Sequence, residues 1–171
     1  VISIEKTLRP KESKEPFTTS TLQQEAFAKL KFKTQKTQRI AQKLYEGFDV
    51  GGEHMGLITY MRTDSTRLSP TYITKATNFI LEAFGKEYLG KAKKSKQSAT
   101  AQDAHEAIRP TSNHKTPETV KPFLTNDEYK LYDMIYNRAL ASLMKDAETL
   151  NTTVVLDNNN YQFKATGQIV T

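Results

Sequence analysis

The sequence has 171 residues, 37% hydrophobic and 26% charged, which predicts one domain with room for a smaller second lobe and argues against wholesale disorder. Lys and Arg outnumber Asp and Glu 25 to 19, so the net charge of +6 favours a polyanionic partner without naming it. The absence of cysteine excludes disulfides, thiolate nucleophiles and any Cys-containing zinc site, and no apolar run reaches the ~18 residues of a membrane span.

Residues 1–8 alternate in the manner of a strand, and the polar run from Arg9 to Pro16 reads as a linker. Ser20 or Thr21, each with Gln three residues on, is expected to cap a helix whose buried face carries Leu22, Ala26, Phe27 and Leu30. A second helix is predicted through Ile40, Ala41, Leu44 and Tyr45, ending at Gly47. Two short helices across a brief turn resemble a DNA-binding hairpin.

Glycines at 47, 51, 52 and 56 predict a mobile loop over residues 48–55, followed by an extended run from Leu57 to Arg62. Ser69 before Pro70 is a helix start, and Ile73, Ala76, Ile80, Leu81 and Phe84 give a helical stripe that Gly85 stops. Lys91 to Ala101 reads either as a solvated basic loop or as a weak helix. Thr125 with Glu128 makes a capping box for the longest helix, through Tyr129, Tyr132, Ile135, Tyr136, Leu140 and Leu143. From Thr152 the period changes to strand, with Asn158 to Asn160 as the turn of a hairpin.

The fold class expected is therefore α+β, mainly α: a helical domain with a helix-turn-helix-like unit, inserted between terminal β segments of a second lobe. The boundaries expected are a β segment and linker at 1–15, a helical domain at 16–147 and a returning hairpin at 148–171. A first residue that is Val and a final strand without a tail suggest a piece of a longer, soluble, unsecreted protein.

Most catalytic signatures fail on spacing. Gly51-Gly52 has no Gly-Lys-Ser/Thr beside it, Arg109 stands where a two-histidine zinc helix needs its second His, and no tight acidic cluster suits magnesium. No metal site is expected. What remains is Tyr60-Met-Arg62-Thr-Asp64-Ser65. In an extended run Tyr60, Arg62 and Asp64 share a face, so a phenol able to attack phosphorus would stand beside a guanidinium able to neutralise its oxygens. The alternative is an ordinary packing tyrosine of a strand. The run His105-Glu106-Ala-Ile-Arg109-Pro110 likewise reads either as a phosphate clamp or as a turn in which Glu106 pairs with a nearby base.

Four runs, Pro16 to Gln24 (PFTTSTLQQ), Ala41 to Gly47 (AQKLYEG), Gly56 to Ser65 (GLITYMRTDS) and Ala104 to Pro110 (AHEAIRP), resemble the type IA DNA topoisomerases, in their bacterial branch. The resemblance implies that Tyr60 attacks a backbone phosphate of single-stranded DNA and becomes linked to the 5′ side of the break, with Arg62 as the cation beside it. It further implies that His105 and Arg109, and beyond them Asp64, Ser65 and Gln23, contact DNA or support those that do. It implies transient cleavage, strand passage and resealing, relaxing negative supercoils without a nucleotide cofactor. It also implies Mg2+ held by a domain that this chain lacks, partnership with that domain and with DNA-gripping regions, no membrane association, and a place in the bacterial cytoplasm at the nucleoid. The rival readings are a non-catalytic helix-turn-helix DNA-binding module and a protein-interaction domain with a solvated basic face.

Overall fold

Thr18, rather than Ser20 or Thr21, begins the first helix. Its hydroxyl accepts from the Thr21 amide (3.2 Å) and the Thr21 hydroxyl accepts from the Thr18 amide (2.9 Å), a capping box built from two threonines. The computed structural model describes residues 1–90 and 105–171, so the basic stretch predicted from Lys91 to Ala101 lies outside the described residues. Helix and strand are mixed, and the chain divides into two compact units, Lys14–Met144 and Val1–Ser13 with Lys145–Thr171.

In the larger unit, α1 (Thr19–Glu25) widens into a π turn, Ala26–Leu30, in which the Lys31 amide reaches back to Ala26 O. The wide turn carries an extra residue and rotates the stripe. Leu22 and Ala26 stay buried, while Phe27, expected in the core, is 60% exposed. Lys31 closes the turn in the left-handed region (φ 60°) and leads to α2 (Thr34–Glu46), which buries Ile40, Ala41 and Leu44.

At the end of α2 Gly47 takes φ 104°, and a Cβ there would collide with the Met55 carbonyl. The chain folds straight back as a hairpin, β2 (Phe48–Val50) against β3 (Glu53–Met55), where a mobile loop was expected. Gly51 and Gly52, at φ 65° and 89°, suit the tight turn that joins two antiparallel strands. The exposed His54 ring sits 3.0 Å from Asp49 and 3.1 Å from Glu46 O, and these two contacts, the first more than the second, raise its pKa.

Ser69 caps α3 (Pro70–Ala83), which buries Tyr72, Ala76 and Ile80. Leu81 and Phe84 of the expected stripe are instead partly exposed, and Phe84 meets Phe79 edge-on and Tyr88 at a tilt near the surface. After the short α4 (Pro117–Val120), Thr125 and Glu128 form the predicted capping box of α5 (Asn126–Ala141), the longest helix among the described residues. Its inner face supplies Leu131, Tyr132, Ile135 and Tyr136 to a core shared with Phe17, Leu44, Leu57, Ile80 and Ile108. Asn113 ties the tyrosines together, accepting from Tyr72 through Oδ1 (2.9 Å) and from Tyr136 through its carbonyl (2.6 Å).

The smaller unit is one antiparallel sheet in the order β1-β4-β5, built from β1 (Ser3–Lys11), β4 (Ala147–Asn158) and β5 (Tyr161–Val170). The strand therefore runs on through Arg9 and Pro10 to Lys11, where a linker was expected. Pro10 is tolerated because β1 is an edge strand, whose outer side needs no amide. Asn159 and Asn160, both at positive φ (52° and 66°), turn the β4-β5 hairpin. Cross-strand rows such as Leu8, Leu150, Ile169 and Ile4, Val154, Ala165 gather the apolar side chains on one face.

One ion cluster links helices of the larger unit. Glu25 pairs with Lys29 (2.6 Å) and Arg138, and the Arg138 guanidinium also lies 4.2 Å over the Phe17 ring. Lys29 does most to hold the Glu25 carboxyl down at about 2; burial opposes it and Arg138 adds to it. A carboxyl lowered by folding gives stability that is full above its unfolded pKa, near 4.5, and that drains as pH falls toward 2. Glu25→Gln is expected to cost ~1–2 kcal/mol at pH 7 and to flatten the stability curve below pH 4.5, measured by thermal unfolding at stepped pH. Curves for variant and parent that stay parallel through that window would refute the cluster's role.

Candidate active site

An extended segment without a neighbouring strand must satisfy its amides elsewhere, and residues 57–63 do so through isolated bonds to three other parts of the chain. Leu57 N–H donates to Leu44 O (2.8 Å), and its carbonyl accepts from Thr111 (3.0 Å). Thr59 bonds to the segment opposite three times: its amide donates to Arg109 O (2.9 Å), its hydroxyl donates to Ala107 O (2.7 Å), and that oxygen accepts from the Arg109 amide (3.0 Å). One and three residues past Tyr60, Thr19 of α1 does the same from the other side. Its hydroxyl donates to Met61 O (2.6 Å), with Thr63 O at 3.1 Å, and accepts from the Thr63 amide (2.9 Å). The Thr19 amide donates to Thr63 O (2.9 Å).

The side chains alternate as the sequence predicts for an extended run. Met61 is buried, whereas Tyr60, Arg62 and Asp64 are exposed. Tyr60 is 45% exposed, and its ring meets Tyr45 edge-on at 5.3 Å. Its hydroxyl has no hydrogen-bond partner among the described residues. The tyrosines of the core differ. Burial raises the phenols of Tyr72 and Tyr132 far above their usual range and pushes Tyr136 up to about 12, and all three hydroxyls donate within the protein.

Arg62, Asp64 and His105 line one open cleft of about 490 Å3 together with Thr18, Thr19, Ser20 and Thr63. None of the three makes an ion pair or hydrogen bond among the described residues. Arg62 also borders a smaller crevice of about 30 Å3 between α1 and α2, where Gln23 lies beside Gln38 and Gln42. Ser65 is half-buried and turned to local work, its hydroxyl accepting from the Arg67 amide (3.1 Å). No group of three or more His, Asp or Glu among the described residues could hold a metal ion.

Arg109 is placed differently. Its side chain is only 13% exposed and makes a two-pronged pair with Glu106 (2.7 and 3.1 Å), a bond to Pro110 O (3.1 Å) and a stack 4.2 Å over the Tyr72 ring. Burial pushes the Glu106 carboxyl up, but Arg109 and the Ser69 amide outweigh it and hold it below the usual carboxylate range. The pairing of Glu106 with a nearby base, one of the two sequence readings, is what the geometry contains; the guanidinium is engaged inside the protein and not directed at the cleft. Sequence reasoning missed both Thr19 and Tyr45. A threonine three residues beyond a proline and a tyrosine at a helix end carry no chemical signature until the fold sets them against residues 60–63.

The comparisons with known proteins cover the whole of this arrangement. A family model described as DNA topoisomerase matches residues 1–171. DNA topoisomerase 1 of Thermotoga maritima is 51% identical over 155 residues, which is 89% of this chain and 24% of that protein. The solved structure of full-length topoisomerase I from Thermotoga maritima, in a monoclinic crystal form, superposes with a TM-score of 0.81 at 43% identity, covering 99% of this chain and 27% of that one. The chain thus spans about a quarter of the length of the relatives it matches. No helix among the described residues is long and apolar enough to cross a membrane. With the family model matched end to end and a relative this similar in sequence and fold, the chain belongs to the bacterial type IA DNA topoisomerases.

Proposed function

We propose that the chain is the part of a type IA topoisomerase that carries the nucleophile, with residues 16–147 as the tyrosine-bearing helical domain and residues 1–15 and 148–171 as pieces of a hinge-like β lobe. The observation that supports this best is the contrast among tyrosines. Tyr60 is an exposed phenol on a clasped, extended segment, two residues from an arginine with no partner among the described residues, whereas the tyrosines of the core are buried and bonded.

In the proposed reaction the Tyr60 oxygen forms a bond to phosphorus of single-stranded DNA, and the bond from phosphorus to the 3′ oxygen breaks. The phenol gives up its proton, the 3′ oxygen gains one and leaves as a hydroxyl, and the 5′ phosphate stays on the tyrosine. Arg62 offers its planar fork to the phosphate oxygens as charge builds. His105, across the cleft, is the titratable group placed to hold or pass a proton. Asp64 and Gln23 are second contacts along the strand, and Ser65 and Arg109 shape the backbone around it. Resealing runs the same exchange backwards, one ester for another, so no nucleotide is consumed. Supercoil strain drives the passage of another strand and hence relaxation.

Mg2+ does not fit the described residues, and no step above uses it; in the proposed whole protein it is held by a domain outside this chain. The α1 and α2 pair, joined at the left-handed Lys31, supports a helix-turn-helix-like unit. Its basic stretch is partly neutralised, since Lys29, Lys36 and Lys43 face Glu25, Asp127 and Glu128. The proposed setting is the DNA of a bacterial nucleoid.

The deciding experiment is a denaturing gel after incubating the intact protein with labelled single-stranded DNA. A covalent band is expected, and none for Tyr60→Phe, with DNA affinity little changed; a non-catalytic DNA-binding module gives no band in either. Arg62→Ala is expected to slow adduct formation ~100-fold, with Arg62→Lys milder because charge remains without the fork. A rate equal to the parent would remove Arg62 from the chemistry.

Binding by the 171-residue chain alone should be weak, favour single strands and fall with salt, with a log-log slope of about −2 from a few cations that, like Arg62, have no partner among the described residues. Fluorescence anisotropy measures it, and salt-independent affinity would contradict backbone contacts. In a gel assay with magnesium the chain alone is expected not to relax supercoiled DNA; relaxation that Tyr60→Phe abolishes would overturn the assignment of metal binding to another domain.

A further inference from the structure

We infer that Thr19 is a positioning residue for Arg62, an inference that rests on the reading of Tyr60 and Arg62 given above. Its hydroxyl holds the peptide groups on both sides of the arginine. One oxygen donates to Met61 O at 2.6 Å and accepts from Thr63 N–H at 2.9 Å, while the Thr19 amide donates to Thr63 O at 2.9 Å. Arg62 lies between those two anchors with no partner of its own among the described residues. Its Cα is therefore fixed by helix α1, and its side chain remains free to meet an anion.

The local sequence makes this necessary. Residues 61–63 belong to no sheet, so nothing else in the segment satisfies these groups on that side, whereas Thr59 clasps only the side before Tyr60. Removing the Thr19 hydroxyl leaves the Met61 carbonyl and the Thr63 amide without that oxygen, and the segment, held there only by the bond from the Thr19 amide to Thr63 O, is loosened on one side of the nucleophile only. A displacement of about 1 Å at a charge-stabilising group is worth up to ~100-fold in rate when the reacting geometry depends on it. Thr19 also stands at the N-terminus of α1, fixed in place by the Thr18–Thr21 capping box, so the clasp has a rigid base. Thr19 and Arg62 border the same two hollows, the 490 Å3 cleft and the 30 Å3 crevice, which places the anchor beside the cation and not behind it.

The test measures the rate of covalent adduct formation on single-stranded DNA by the intact protein, together with DNA affinity and thermal unfolding. Thr19→Val keeps the shape and removes the hydroxyl. It is expected to slow adduct formation ~10-fold or more, with affinity changed less than 3-fold. Thr19→Ser keeps the hydroxyl and is expected to stay within about 3-fold of the parent rate; a loss as large as that of Arg62→Ala would mean that the methyl group matters and the clasp does not, even if Thr19→Val fails to fold. The double variant Thr19→Val with Arg62→Ala should be no slower than Arg62→Ala alone, because the anchor acts through the arginine. Independent, multiplying losses would overturn the proposal, as would a parent-like rate in Thr19→Val. An adduct that persists in Tyr60→Phe would instead overturn the reading of the nucleophile, which keeps the two failures distinct.

Discussion

Threonine hydroxyls replace a sheet around residues 57–63. A strand in a sheet gains its rigidity from a ladder of amide bonds, but this segment meets its neighbours only at isolated points, and the Thr59 and Thr19 hydroxyls each bridge a donor and an acceptor that a ladder would have paired. The result is a stretch held at both shoulders whose alternate side chains still reach solvent. Phe17 and Ile108, joined by a hydrogen bond of 2.8 Å from the Ile108 amide to Phe17 O, and Ile58 opposite Pro110 put a dry floor beneath it. Without that floor the hydroxyl bonds would compete with water and contribute little.

From this constraint the division between exposed and buried chemistry follows. Two arginines close in space to the same loops have opposite fates. Arg109 is enclosed by Glu106, Pro110 and Tyr72, and there its fork stabilises the turn that presents Thr59's partners. On the clasped segment, Arg62 has no partner among the described residues. A buried, fully engaged guanidinium would have to break its ion pair to bind phosphate, a cost of several kcal/mol, so the free one is the better anion receptor. The tyrosines divide in a similar way: Tyr72, Tyr132 and Tyr136 pack the core with their hydroxyls bonded inside the protein, whereas Tyr60 is exposed and its ring meets the edge of Tyr45.

The larger unit also shows how a basic sequence is partly neutralised by its own fold. Carboxylates of α1 and α5 answer Lys29, Lys36, Lys43 and Arg138, so part of the positive charge is neutralised within the fold. Arg62, beside an open cleft, has no such partner among the described residues. Membership of the topoisomerase family, found over the full 171 residues, gives that location its meaning. The chain's share of the matched relatives, about a quarter, is why chemistry at Tyr60 is a proposal about a larger machine.

Local signals in the sequence determined a good deal. Ser69-Pro70, Thr125 with Glu128, Gly47 and the Asn158 to Asn160 turn each act within a few residues, so the helices and the hairpin they bound were legible in advance. Residues 56–65 also carried the family resemblance and the alternation that puts Tyr60 and Arg62 on one side. Tertiary structure decided what depends on distant partners. Phe27 left the core because a π turn rotated its helix, Arg9 to Lys11 became strand because β4 was there to pair, and residues 48–55 became a hairpin because Gly47 could meet Met55. The choice between a phosphate-facing and an inward Arg109 turned on Tyr72, 37 positions away in the chain, and the grip of Thr19 on Met61 and Thr63 spans more than forty residues. No periodicity encodes such pairs, because each residue alone is an ordinary arginine or threonine until packing brings its partner within bonding distance.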